Sequence, residues 1–303
     1  MEHLNKGDIV GIVSPAGFIK KNEDLSLAIK LLKRWGLQVK LGSNVFSKNN
    51  HFAGTDKERA SDFQMFLDDK TIKAIWCTRG GYGSIRIVDK LDFSKYKINP
   101  KWIIGYSDIT VFHHVAHVFN LESIHAVMPT SNDSLLNSDL AINSLHNALF
   151  GKELSYNLKP NDCNIYGVAN GKIIGGNLSI LASMLGSDYS LNLKSKILFI
   201  EEIGEYKYRI DSMLQSLKLN GYFKDCKGLI IGGFTNIKKN EPSFGLSIED
   251  MILNTVKEYD FPVCFNFMAG HLTENHAIIF GREARLVVTK NKVSLSFYPI
   301  AKI

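Results

Sequence analysis

The stretch that decides the fold reads Trp102-Ile-Ile-Gly-Tyr-Ser-Asp-Ile-Thr110. It begins as an apolar run typical of a buried strand and continues into a helical pattern. The residues Gly105-Tyr-Ser-Asp108 between the two predict a sharp turn. This turn would lift the Ser107 hydroxyl onto the carboxyl edge of a parallel sheet and aim helix N–H groups at an oxyanion. Ser107 is therefore a candidate nucleophile. The alternative is a plain helix N-cap, because Ile109 stands where the hydrolase pattern G-x-S-x-G has its second glycine.

Short apolar runs alternate with helical patterns on both sides of this stretch, which is typical of βαβ units and a parallel sheet. Residues 1–135 are therefore predicted to form one α/β domain. Its strands are predicted at residues 8–14, 37–41, 74–78, 102–106 and 124–127, and its helices at 25–35, 56–67, 84–91 and 108–119.

The second half of the chain has a different pattern. A helix is predicted over residues 140–150, after which residues 151–171 lose apolar periodicity, and we interpret 136–165 as a linker. Residues 166–303 are predicted to form a smaller α+β domain. Its strands are predicted at 197–200, 228–233, 277–280 and 293–298, and its helices at 177–185, 208–219 and 248–259.

Composition excludes several classes of protein. The chain has 303 residues with 36 basic and 30 acidic side chains, and its net charge of +6 is dispersed rather than clustered. A nucleic-acid partner is therefore not expected. The four cysteines show no C-x-x-C spacing, so neither a disulfide framework nor a zinc site is expected. The sequence shows no signal peptide and no apolar run of the ~18 residues that a membrane span needs, so a cytoplasmic location is expected.

Three further groups of residues carry candidate chemistry. The glycine cluster Thr78-Arg-Gly-Gly-Tyr-Gly-Ser84 offers backbone N–H groups for an oxyanion, or is simply a tight turn. His271 and His276 share a polar loop and are rival candidates for a general base, while Glu201 and Glu202 follow an apolar strand and are candidates for its acid partner. His113 and His117 have the spacing of a metal pair but no evident third ligand, so a helix surface or interface is the favoured interpretation.

Together these segments resemble the LD-carboxypeptidases of serine peptidase family S66. The similar segments are Gly7-Asp-Ile-Val-Gly-Ile-Val-Ser-Pro-Ala16, Arg79-Gly-Gly-Tyr-Gly83, Gly105-Tyr-Ser-Asp-Ile-Thr110, Gly175-Gly-Asn-Leu178, Leu198-Phe-Ile-Glu-Glu-Ile-Gly-Glu205, Tyr208-Arg-Ile-Asp211 and Gly270-His271. They occur in the family's order over nearly the whole chain. One departure is His125-Ala-Val-Met128, where family members often carry His-Gly-Pro-Met.

The resemblance implies a Rossmann-like parallel-sheet N-terminal domain without a nucleotide, a smaller α+β C-terminal domain, and an active site in the cleft between them. It implies a catalytic triad of Ser107 as nucleophile, His271 as base and Glu201 as its orienting acid, with Glu202 the less favoured acid. The oxyanion donors would be the N–H groups of Gly81 and Asp108, with Gly80 as a rival to Gly81. The family also implies a cytoplasmic homodimer that acts on a murein peptide and needs neither metal nor cofactor.

Four functions are compatible with the sequence. The favoured one is hydrolysis of the amide between an L-centre and the terminal D-alanine of a murein tetrapeptide. A second is the related immunity peptidase that cleaves microcin C-type peptidyl or aminoacyl nucleotides. A third is a non-catalytic peptide-binding module. A nucleotide-dependent enzyme is disfavoured, because Ser14-Pro-Ala-Gly17 follows the first strand where G-x-G-x-x-G would be needed.

Overall fold

The computed structural model describes residues 1–20, 24–130 and 138–299 of the chain. The chain forms two compact units, one of Met1–Lys152 with Thr273–Ile278 and one of Glu153–Leu272 with Ile279–Ile303. The strands are β1 (Ile9–Val13), β2 (Gln38–Leu41), β3 (Ile72–Cys77), β4 (Trp102–Gly105), β5 (Ser123–His125), β6 (Ser155–Leu158), β7 (Gly167–Asn177), β8 (Lys196–Ile203), β9 (Gly228–Thr235), β10 (Val263–Cys264), β11 (Ile278–Phe280), β12 (Glu283–Val288) and β13 (Val293–Phe297).

The α-helices of the described chain have the following bounds. They are α1 (Ser26–Arg34), α2 (Asp56–Asp68), α3 (Ser94–Ile98), α4 (Thr110–Val118), α5 (Asp139–Leu149), α6 (Leu178–Ser183), α7 (Lys207–Leu219) and α8 (Ile248–Val256). Among the described residues, no helix combines the length and the apolar character that crossing a membrane requires.

Strands β1 to β5 of the first unit lie in a six-stranded sheet in the order β11-β5-β4-β3-β1-β2. Strands β1 to β5 pair with one another in parallel, so their carboxyl ends meet at one edge of the sheet. Close packing against the sheet depends on Gly11 in β1, since a β-carbon there would lie 2.5 Å from the Phe66 ring of α2. The rings of Phe63 and Phe112 stack with their centroids 4.1 Å apart and join α2 to α4.

The second unit contains a seven-stranded sheet in the order β10-β9-β8-β7-β12-β13-β6. Strands β10, β9, β8 and β7 pair in parallel, and β7, β12, β13 and β6 pair antiparallel. Helices α6, α7 and α8 bury apolar side chains against this sheet, including Leu178, Leu214 and Ile252. The architecture is therefore a mixed sheet with helices, as the α+β prediction describes.

The structure differs from the sequence predictions in several elements. The segment interpreted as a linker, 136–165, contains β6 as well as α5, the helix predicted at 140–150; residues 136 and 137 lie outside the described residues. Helix α5 forms because Ala141, Leu145 and Leu149 share one buried face. The helix predicted at 84–91 is instead two short 3₁₀ turns, Ser84–Arg86 and Val88–Lys90. Strands β6, β7, β10 and β12 and helix α3 are absent from the sequence predictions.

Candidate active site

Ser107 lies in a sharp turn at the carboxyl end of β4 in the first unit. Its φ is +62°, in the left-handed region that residues other than glycine rarely adopt. Such a conformation costs roughly 1–3 kcal/mol and persists only where surrounding contacts fix it. An N-cap residue has an extended backbone instead, so the plain N-cap interpretation does not describe Ser107.

The glycine loop approaches Ser107 closely. A β-carbon built on Gly80 would lie 2.9 Å from the Ser107 β-carbon and 3.0 Å from its Oγ, so only glycine fits there. Gly81 follows with a φ of +105° and is exposed. The structure thus brings the glycine loop to the predicted nucleophile.

Asp108 connects the Ser107 turn to the same loop. Its buried carboxylate accepts a hydrogen bond of 2.8 Å from the Ser84 backbone N–H. Burial raises the pKa of Asp108, and this effect outweighs the hydrogen bonds from Ser84. The side chain of Asp108 is therefore structural, and only its backbone N–H is a candidate oxyanion donor.

Arg59 is a buried residue of α2 that the sequence analysis did not identify. Its Nη1 donates to the Pro15 carbonyl at 2.5 Å and to the Gly83 carbonyl at 2.8 Å, while its Nη2 pairs with Asp56. Arg59 therefore holds two loops of the first unit together. The one weak signal of its burial in the sequence is that Arg59 directly precedes Ala60, which faces inward.

Glu201 and His271 form a buried pair in the second unit. The Glu201 Oε2 lies 2.6 Å from His271 Nδ1, and the Glu201 side chain is fully buried while His271 is 15% exposed. A carboxylate accepts, so Nδ1 carries the proton in the neutral ring and Nε2 keeps a lone pair. This is the arrangement that a general base requires.

Gly270 makes this pair possible. A β-carbon at Gly270 would lie 2.8 Å from both the β-carbon and Oε2 of Glu201, and its φ is +104°. The Gly270-His271 dipeptide thus lets the backbone pass directly over the carboxylate.

Two opposing effects act on the pKa of His271. Burial lowers the pKa, but the charge and hydrogen bond of Glu201, with a smaller contribution from Glu202, raise it above its ordinary value. The net direction is upward, because the carboxylate is in direct contact with the ring.

Glu202 has a different set of partners. Its carboxylate accepts from the N–H and hydroxyl of Ser179 at 2.8 and 2.6 Å, from Asn177 Nδ2 at 3.1 Å and from the Ile203 N–H at 2.8 Å. Burial raises the pKa of Glu202 despite these donors. Glu202 therefore accepts hydrogen bonds from residues at the beginning of α6, and Glu201 is the carboxylate that contacts His271.

The rival base His276 also has a carboxylate partner. Its Nε2 lies 2.9 Å from Glu274 Oε1, but this acid is two residues away and partly exposed. Burial lowers the pKa of His276, and Glu274 only partly offsets that effect. His276 belongs to the residues 273–278 of the first unit, whereas His271 belongs to the second.

The expectation that His113 lies on a helix surface or interface is wrong. His113 is buried in α4, and its ring nitrogens contact Ser123 and the Gly105 carbonyl. Within residues 1–20, 24–130 and 138–299, no three side chains of the histidine, cysteine, aspartate or glutamate type come together as metal ligands would.

Comparison with known families identifies the chain. The model of the LD-carboxypeptidase N-terminal domain matches residues 10–126, and that of the C-terminal domain matches residues 170–286. The chain belongs to the LD-carboxypeptidase family. The resemblance seen in the sequence, the mixed α/β fold class and the assignment as a peptidase are thereby confirmed.

Individual LD-carboxypeptidase relatives extend over most of the chain. The "Probable murein peptide carboxypeptidase" of Bacillus subtilis is 34% identical over 294 residues, which cover 93% of this chain and 90% of that protein. The crystal structure of muramoyltetrapeptide carboxypeptidase from Oxalobacter formigenes has a TM-score of 0.86 at 28% identity and covers 96% of this chain and 99% of its own. The microcin C7 self-immunity protein of Escherichia coli is 28% identical over 265 residues, 76% of each chain.

Proposed function

We propose that this LD-carboxypeptidase hydrolyses the amide that joins an L-centre, L-lysine or meso-diaminopimelate, to the terminal D-alanine of a murein tetrapeptide. The observation that carries the proposal is the buried pair of Glu201 and His271, with 2.6 Å between Oε2 and Nδ1. The names of the Bacillus subtilis and Oxalobacter formigenes relatives support the substrate class.

The proposed reaction begins with Ser107. Its Oγ attacks the amide carbonyl carbon while His271 Nε2 takes the hydroxyl proton, and Glu201 stabilises the imidazolium that forms. The N–H groups of Gly81 and Asp108, with Gly80 as the rival to Gly81, receive the negative charge on the carbonyl oxygen. Such donors contribute about 3–4 kcal/mol in other serine hydrolases.

The tetrahedral intermediate then collapses. The C–N bond breaks, His271 passes its proton to the leaving amine of D-alanine, and Ser107 keeps the tripeptide as an ester. Water attacks this acyl-enzyme with His271 again as base and releases the tripeptide and free Ser107. The proposal assigns this reaction to a cytoplasmic homodimer in murein recycling, on the strength of the family resemblance.

The test is mass spectrometry of a murein peptide panel before and after incubation. We expect loss of one D-alanine from the tetrapeptide, and we expect Ser107→Ala, Glu201→Ala and His271→Ala each to abolish it. His276→Gln is the matched control, because it alters the other carboxylate-paired histidine and should stay active. Full activity of Ser107→Ala would refute the mechanism. An inactive His276→Gln beside an active His271→Gln would show that His276, and not His271, is the general base.

A second candidate is amide hydrolysis of microcin C-type aminoacyl nucleotides. Its support is the 28% identity to the microcin C7 self-immunity protein. The same panel should include an aminoacyl-sulfamoyl adenosine. Turnover of that compound without turnover of the tetrapeptide would favour the immunity function.

A further inference from the structure

The carbonyl oxygen of Gly105 receives two hydrogen bonds at the end of β4. The Ala126 backbone N–H donates to it at 3.3 Å, and His113 Nε2 lies only 2.9 Å away. The histidine contact is the shorter one. It comes from α4, the helix that follows the Ser107 turn.

The other nitrogen of the His113 ring is also engaged. Nδ1 lies 2.8 Å from the hydroxyl of Ser123 in β5, and His113 and Ser123 are both buried. The ring therefore connects the strand that precedes the turn with the neighbouring strand.

The protonation state of the ring follows from these partners. Burial lowers the pKa of His113 to about 4, so the ring is neutral at pH 7. A carbonyl oxygen only accepts, which places the single ring proton on Nε2. Nδ1 then accepts from the Ser123 hydroxyl, and one tautomer satisfies both contacts.

The position of this carbonyl matters for Ser107. Gly105 precedes Ser107 by two residues, and Ser107 holds a φ of +62° that surrounding contacts must enforce. A β-carbon at Gly105 would lie 2.9 Å from the Ile109 side chain, so the turn folds back on itself here. Fixing the Gly105 peptide fixes one end of the strained turn.

We propose that His113 is a positioning residue that holds the nucleophile turn through the Gly105 carbonyl. The inference rests on the proposed role of Ser107 as nucleophile. His113 is buried, and its proposed effect is on the orientation of the Ser107 hydroxyl. Misplacement of a reacting group by about 1 Å costs about 10²-fold in rate.

The experiment compares three variants at His113 with the intact chain. In His113→Gln the side-chain amide replaces Nε2 and can still donate to Gly105. In the matched control His113→Asn the amide replaces Nδ1 and cannot reach that carbonyl. His113→Leu removes both contacts.

We expect kcat for the tetrapeptide to fall about 10²-fold in His113→Leu and His113→Asn while KM changes little, and His113→Gln to regain most of the loss. Urea unfolding of each variant ensures that rates are expressed per folded enzyme. Equal kcat values in the Gln and Asn variants would overturn the proposal, as would a loss that appears in KM alone.

Long-range ¹H–¹⁵N spectra of the histidine rings test the tautomer without reference to activity. We expect His113 to be neutral and protonated on Nε2 at pH 7, and protonation on Nδ1 would contradict the proposal. Full kcat in His113→Leu with an inactive Ser107→Ala refutes only this inference. An active Ser107→Ala refutes the proposed function itself.

Discussion

At the scale of single residues, Gly270 shows how a missing side chain shapes a site. The carboxylate of Glu201 occupies the space that a β-carbon at position 270 would need. The pairing of Glu201 with His271 therefore depends on a residue that contributes no functional group of its own.

Replacing Gly270 with alanine should separate this pair. We expect Gly270→Ala to lower kcat/KM by about 10²-fold, because the new methyl group displaces the Glu201 carboxylate from His271. Gly221→Ala is the control, since Gly221 has a φ of +77° and a β-carbon there would have no atom within 4 Å. It should lose about 1–2 kcal/mol of stability without loss of activity. Steady-state kinetics and urea unfolding of both variants distinguish the outcomes, and equal rates would contradict the prediction.

The pH dependence of the reaction should report the charge on Glu201. His271 must be neutral to act as base, and its pKa is raised above the ordinary 6.5, so the acidic limb of kcat/KM should lie above pH 6.5. In Glu201→Gln the charge is gone while burial still lowers the pKa of His271. The limb should then move to lower pH, with a lower maximal rate. A limb that stays in place would show that another group sets it.

The residues of the site differ in how visible they are in the sequence. Ser107 and His271 stand in segments that combine a turn glycine with a reactive side chain, which makes them candidates beside the N-cap and His276 alternatives. His113 and Arg59 cannot be read this way, because they bind backbone carbonyls of Gly105, Pro15 and Gly83. A carbonyl is present at every position, so it leaves no signal in the sequence.

At the scale of secondary-structure elements, the end of β8 carries two adjacent carboxylates with separate tasks. Glu201 contacts His271, whereas Glu202 accepts four hydrogen bonds from residues around the first turn of α6 and from its own neighbour. A single strand end thus serves both the candidate chemistry and the attachment of a helix.

Replacing Glu202 with alanine should mainly affect stability. The groups that donate to the Glu202 carboxylate lose their hydrogen-bond acceptor. We therefore expect the free energy of unfolding to fall by about 1–3 kcal/mol. The tetrapeptide rate per folded enzyme should fall far less than in Glu201→Ala. Urea unfolding and kinetics on both variants test this expectation, and a stable but inactive Glu202→Ala would reverse the two assignments.

The elements differ in how well periodicity predicts them. Strands β3, β4 and β8 each contain a continuous apolar run, and the sequence analysis places each of them within a few residues. Strand β7 reads Gly-Val-Ala-Asn-Gly-Lys-Ile-Ile-Gly-Gly-Asn, and its glycines and asparagines are typical of loops. It forms a strand because β8 and β12 pair with it on both sides, a contact that only the folded chain supplies.

At the scale of the whole molecule, neither unit is one continuous segment. The first unit takes residues 273–278 from the far end of the chain, and the second takes residues 279–303. The predicted division at residues 136–165 rests on local composition, which carries no information about such a return of the chain.

Cutting the chain at this division should abolish activity. We expect neither residues 1–152 nor residues 153–303 alone to release D-alanine, because Ser107 lies in the first fragment and Glu201 and His271 in the second. The first fragment also lacks residues 273–278 of its own unit. Mass spectrometry of the tetrapeptide after incubation with each fragment, beside the intact chain, is the measurement. Release of D-alanine by either fragment would contradict the proposed triad.

The late position of β11 in the sequence has a consequence for synthesis. Strand β11 lies next to β5, yet the ribosome adds it more than a hundred residues later. While the intervening chain is being made, the backbone groups along that side of β5 lack their final neighbour. An open strand edge is a template for pairing with other chains. The nascent chain therefore exposes this edge of β5 to pairing with other chains until residues 278–280 have been added.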